Sequence, residues 1–170
     1  TNQAMIELLS FALACDQTRV FSVMFSDRIS GLRQPGSSSQ HHQLTHDEPL
    51  DPAIGYQPEA TEFVFVSMEA WADVIERLAA IPEGDGTLLD NCLVLGHSDV
   101  SFAKQHGITG VPMMIAGSAG GKIKPGIHVS GATAPTSRVG LTIQQAMGLT
   151  AESWGTRSME ATQPISEILV

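Results

Sequence analysis

The stretch Thr18–Ser26, TRVFSVMFS, decides how the chain is read. Val20, Phe21, Val23, Met24 and Phe25 form an almost unbroken apolar run, too short for a helix. Such a run predicts a strand buried on both faces, as in an α/β sheet. Upstream, Met5, Leu8, Leu9, Ala12 and Leu13 recur at helical spacing and predict a helix over 4–15. Downstream, from Ser26 to about Ala60, the chain is mostly Gly, Ser, Pro, His and Asp with few apolar anchors. Irregular loops of that length in compact domains are usually functional or disordered.

Periodicity returns in TEFVFVSMEAWADVIERLAAIPEG, where Val64, Met68, Trp71, Val74, Ile75 and Leu78 keep helical spacing until Pro82 and Gly84 stop it. GTLLDNCLVLGHSD predicts a turn, a strand over Leu93–Leu95 and a polar exit. GVPMMIAG predicts a second strand, and GSAGGKIKPGIHVSG a turn with a short hairpin. SRVGLTIQQAMGL predicts a helix stopped at Gly148. This order predicts one α/β domain over 1–149 with a tail over 150–170. Its architecture is a three-layer one, a mostly parallel or mixed central sheet with flanking helices. In such sheets ligands sit beyond the carboxyl ends of strands, where the 26–60 loop and GHSD would both emerge.

Composition bounds the function. The 170 residues are 42% hydrophobic, enough for a real core, and carry a formal charge of −9. Nine scattered basic residues give no stripe for a sequence-independent grip on nucleic acid. No apolar run approaches the roughly 18 residues of a membrane span. Near the N-terminus, Glu7 interrupts AMIELLSFALACDQT and no basic segment precedes it, so it reads as an amphipathic helix and not as a signal peptide. A chain opening at Thr1 beside this helix suggests the C-terminal part of a longer protein. Cys15 and Cys92 form no CxxC, and Cys92 reads as a small buried hydrophobe.

The chemistry is concentrated in two places. Three of the six histidines, His41, His42 and His46, fall within HHQLTHD. On a helical turn, His42 and His46 share a face and can share a metal ion, with Asp47 as a hard oxygen ligand. Gln43, where a zinc-protease helix has Glu, excludes that motif, and a solvated polar loop fits the same residues. The second place is GHSDVSFAKQH, with His97, Ser98, Asp99 and His106. Asp99 and His106 suit a divalent-metal site that activates water, while Asp99 also suits a helix cap. Val100 breaks the nucleophile elbow GxSxG. AGSAGGKI fails as a P-loop, since Ala116 replaces its first glycine and Ile123 its Ser or Thr. His128 is a weaker candidate at a strand edge.

Together, LLSFALACDQTRV, HHQLTHD, GDGTLLDNCLVLGHSDVSFAKQHGITGVPMMIAGSAGGKIKPGIHVSG and SRVGLTIQQAMGL resemble the C-terminal part of the HXXSHH proteins, a bacterial domain-of-unknown-function family (number 1552). The signature falls on His42, Gln43, Leu44, Thr45, His46 and Asp47. Thr45 replaces serine and keeps the hydroxyl; Asp47 replaces the last histidine and shifts metal preference toward harder ions. The resemblance implies an exported, periplasmic protein. More distantly, it implies an alkaline-phosphatase or sulfatase-like fold fragment that hydrolyses phosphate or sulfate esters. The expected site is therefore His42, His46, Asp99 and His106 around zinc or manganese, with Asp47 and Asp99 as catalytic carboxylates. The expected substrate is a small molecule or glycan. The alternative expectation is a non-catalytic exported binding module, or a truncated relative, that keeps the fold.

Overall fold

The computed structural model describes residues 2–131 and 133–170. It is a mixed α/β structure that divides into two compact units. The first comprises the chain up to Arg77 together with Asp99–Ile108; the second comprises Leu78–Ser98 and Thr109–Val170.

In the first unit, α1 (Asn2–Ala14) forms where the sequence predicts it. It buries the line Ile6 and Ser10, however, and leaves Met5 and Leu8 exposed. The Ser10 hydroxyl is satisfied within the helix by donating to the Ile6 carbonyl at 2.7 Å. Asp16 closes α1 in the left-handed region (φ 51°), with Gln17 N–H returning to the Ala12 carbonyl. Arg19 then grips the Asp16 carboxylate through two bonds of 2.8 and 2.9 Å.

The run after this turn is not the expected buried strand. Residues 20–24 have no ladder partner, and Val20 is 86% and Met24 78% exposed. A strand exists only through its pairing, and among the described residues no strand pairs with this run. The three-layer parallel or mixed sheet is therefore not formed among the described residues.

The 26–60 stretch holds one short helix, α2 (His41–Asp47), and leads to α3 (Pro58–Ala79). Pro58 suits the first turn of a helix because its missing N–H has no partner to lose. On α3 the buried line is Ala60, Phe63, Ala70, Val74 and Leu78. Val74 and Leu78 match the expected face, whereas Val64 stays exposed. Leu44 of α2 packs against Ala60 and Phe63.

The second unit opens with a tight hairpin, β1 (Pro82–Glu83) and β2 (Gly86–Thr87), and then α4 (Leu88–Asn91). The Asp90 carboxylate accepts from both the backbone and the hydroxyl of Thr87, which holds Asp90 below the usual carboxylate range. β3 (Val94–His97) pairs with β4 (Met113–Ala116), as expected for two strands, but antiparallel, with Leu95 opposite Ile115 and His97 opposite Met113. The expected hairpin over 117–131 does not form; Ile123 instead bridges Leu169 near the C-terminus.

α5 (Ser137–Ala146) ends as predicted, with Gly148 at φ 85° and Leu149 N–H on the Gln144 carbonyl. Its buried face carries Leu141 and Thr142, both 0% exposed. Residues 150–170, expected as a tail, are docked on this helix. Thr142 Oγ1 accepts from Ile165 N–H at 2.8 Å, the Arg138 guanidinium donates to the Pro164 carbonyl, and Ile168 joins Ile123 and Ala146 in the core. Isoleucine at 165 and 168 supplies the anchors that the weak periodicity of this segment conceals.

Candidate functional site

The histidine-bearing region of the first unit is built from α2 and the loop Ser101–Gly107. The first N–H groups of α2 have no side-chain cap at Gln40. They are taken by the incoming chain, His41 N–H on the Leu32 carbonyl and His42 N–H on the Ser30 carbonyl. At the other end the buried Gln57 amide donates to the carbonyls of Leu44, Thr45 and Glu48, at 3.2, 3.0 and 2.8 Å. Glu48 in turn caps α3, its two carboxylate oxygens accepting from Glu59 and Ala60 N–H at 2.8 Å each. A carboxylate there also complements the positive end of the α3 dipole. A seven-residue helix would not persist alone; this one is held at both ends.

The loop 101–107 closes on itself, Ser101 N–H donating to the Gly107 carbonyl and Gly107 N–H to the Phe102 carbonyl. The closure puts His106 in the left-handed region at φ 51°. Non-glycine residues rarely adopt this conformation, and where they do the constraint is commonly functional. Lys104 joins the loop to α2 twice. Its ammonium donates to the Glu48 carbonyl at 2.9 Å, placing a cation at the negative end of α2, and its own carbonyl lies 3.3 Å from His46 Nδ1.

These restraints bring three of the four expected ligands together. The His42 and His46 rings are 4.9 Å apart between centroids, and His46 and His106 are 5.0 Å apart. Imidazoles that share one ion at bond lengths of about 2 Å have ring centres roughly 5 Å apart. Both contacts are edge-to-face, and among the described residues no three His, Cys, Asp or Glu side chains hold their donors ready for an ion as they stand. A three-nitrogen set would need one nitrogen of each ring turned toward a common point. His46 is already oriented for it. A carbonyl only accepts, so the contact with Lys104 requires the proton on Nδ1 and leaves the lone pair on Nε2.

The remaining expected residues lie apart from this trio. Asp99 is exposed in a bend and forms no hydrogen bond or ion pair with the histidines. Asp47 is exposed, one position round α2 from the histidine face, and its carboxylate accepts from the Gln43 amide one turn back. His41 is turned into the core, stacked on Phe63 with ring centroids 4.4 Å apart. Burial and the adjacent His42 hold the His41 imidazole below its usual range, and its Nδ1 is buried without a partner. His97 and His128 lie in the second unit, both exposed. Burial and the nearby Glu83 push the Cys92 thiol up, away from reactive thiolate chemistry.

Lys104, Glu48 and Gln57 position the histidines and carry no signal in the sequence. The one hint is that α3 starts at Pro58 without a Ser, Thr, Asp or Asn before it, so its amides need an acceptor from elsewhere. No family model, curated protein or solved structure matches the chain.

Proposed function

We propose that the first unit carries a divalent-metal centre held by His42, His46 and His106, and that the protein is a metal-dependent hydrolase of phosphate or sulfate esters. The observation that carries the proposal is the contiguous run of three imidazoles whose central member already donates Nδ1–H to a backbone carbonyl. That outer hydrogen bond is the usual partner of a metal-ligating histidine. Three nitrogen donors favour zinc over manganese, which suits oxygen ligands.

When bound, such an ion supplies Lewis acidity that brings a water's pKa to about 7. The chain's own groups do the rest. Lys104 fixes the tautomer of His46, and the closed 101–107 loop presents His106. Asp99, exposed in the bend two residues before that loop, is the carboxylate assigned to complete the ligand set or accept a proton. Asp47, tied to Gln43, takes no ligand role in this reading. The choice of esters, the exported location and the alkaline-phosphatase-like fold come from the resemblance to the HXXSHH proteins. In that fold, the unpaired run 20–24 would be a strand of a larger sheet.

Natively purified protein is expected to hold about one zinc per chain, falling at least roughly tenfold in a His42→Ala/His46→Ala double variant. A phosphatase and sulfatase screen should then find activity lost on chelation and in Asp99→Asn. Protein that stays metal-free after incubation with zinc and manganese, at unchanged stability, overturns the metal centre. Hydrolysis indifferent to both chelator and Asp99→Asn overturns the catalytic assignment.

A further inference from the structure

A second site lies wholly within the second unit. The face of the β3–β4 ladder that carries Leu95, His97, Met113 and Ile115 is covered unevenly. Directly opposed residues of an antiparallel pair share a face, so this face runs from Ile115 at one end to His97 and Met113 at the other. Ile115 packs into the core with Ile123, Ala146 and Ile168. Leu95, His97 and Met113 instead floor an open cleft of about 280 Å³, walled by Thr136, Val139 and Gly140 of the α5 start and by Trp154.

Trp154 is held there by construction. Its backbone exchanges N–H···O bonds of 2.9 and 2.8 Å with Ala161. The turn that follows requires Gly155 at φ 91°, where a Cβ would lie 2.1 Å from the Met159 carbonyl oxygen. The pyrrole edge of the indole sits over Gly140; a Cβ at that position would come within 2.8 Å of Cδ1 and Nε1. The indole is thus seated by its edge while the residue stays 51% exposed.

The lining selects the ligand. The lining holds no Asp, Glu, Lys or Arg, so neither an anion nor a cation finds a counter-charge within it. An apolar floor, an aromatic wall and a rim of imidazole and hydroxyl suit a neutral ring with one apolar face and hydroxyls at its edge. The volume lies at the lower limit of small-molecule pockets, about 300 Å³, and the cleft is open at its sides. We infer that the Trp154 cleft is a carbohydrate-binding site that stacks one neutral pyranose on the indole, with His97 and Thr136 on its hydroxyls, as one residue of a longer glycan.

The full chain is titrated with neutral hexasaccharides of glucose, N-acetylglucosamine and xylose, with adenosine monophosphate and indole as contrasting ligands, by calorimetry and tryptophan fluorescence. At least one saccharide should bind with Kd of about 1 mM or tighter. Binding should weaken at least roughly tenfold in Trp154→Ala and several-fold in His97→Ala. Trp71→Phe should leave both the affinity and the fluorescence change intact. Gly140→Ala, which displaces the indole while keeping it in the chain, should also abolish binding at unchanged circular dichroism. The inference is overturned if none of the three saccharides binds, if only adenosine monophosphate or indole binds, or if saccharide binding survives Trp154→Ala. Because Trp154→Ala removes packing, Trp154→Phe provides the control. It should fold and bind weakly, and full-strength binding by this smaller ring also overturns the stacking assignment.

Discussion

The two units hold their candidate sites in opposite ways. Around the histidines, position is set by polar groups reaching for helix ends: Gln57 on three carbonyls of α2, Glu48 on two amides of α3, Lys104 on a carbonyl and under a histidine. Around the cleft, position is set by apolar burial and by places where only glycine lets two segments meet. A polar clamp fixes the backbone of α2, which suits the proposed histidine ligands. A close-packed seat leaves a platform that does not move, as stacking requires. The contrast is structural, and it can be broken at one residue on each side.

The largest effect is expected in the second unit. Leu141 has no exposed surface, and Leu141→Ala should cost about 2–5 kcal/mol, the range for a buried leucine whose cavity does not collapse. The loss is read locally, as faster hydrogen exchange of the α5 amides. A loss below about 1 kcal/mol would mean that the helix is held by the bonds of Thr142 and Arg138 to the 164–165 segment and not by apolar packing.

A smaller effect is expected from Gln57→Ala, which removes one donor from each of three carbonyls near the C-terminus of α2; Leu44 keeps the Glu48 N–H and Glu48 keeps the Lys104 ammonium. Net hydrogen-bond contributions and the cost of leaving buried acceptors unpaired together give roughly 1–3 kcal/mol. The amides of Leu44 to Glu48 should lose exchange protection, and the His46 resonances should lose their contacts to His42 and His106. If α2 stays protected, the clamp is not what holds it, and the contrast between the units fails on the polar side.

This contrast also explains what could be read from the sequence. The helices α1, α3 and α5, and the pair of strands at 94–97 and 113–116, follow from periodicity and stop signals, which are local. His42 and His46 on one helical face follow from an i, i+4 spacing, also local, whereas their meeting with His106 was expected from two loops leaving neighbouring strands, the first of which does not form. The strand over 18–26 failed because an apolar run states a tendency to pair but not the existence of a partner, and Val20 and Met24 are left in solvent. The docking of 150–170 was hidden because its anchors, Ile165 and Ile168, are a single i, i+3 pair, too short to establish a period. Glu48, Gln57 and Lys104 were hidden for a different reason. Their work is done on backbone groups, and nothing in a side chain's identity tells which carbonyl it will find.

The smallest effect concerns His41, the histidine that belongs to the packing and not to the ligand trio. Burial against Phe63 lowers its folded pKa below the ordinary value near 6.5, so below that pH the unfolded chain binds the proton more readily than the folded one. Stability then rises with pH wherever the unfolded state holds more protons. The His41 contribution is therefore fully present above pH of about 6.5, falls as pH drops toward the lowered folded pKa, and is constant again below it. Urea unfolding followed between pH 8 and 4 should show this slope in the native chain. His41→Phe, which keeps a ring on Phe63 and removes the titrating group, should flatten that part of the profile and leave metal content unchanged. A slope that persists in His41→Phe would assign the acid sensitivity to groups other than His41. Metal lost in the same variant would draw His41 into the ligand set and erase the division of labour along a single turn of helix.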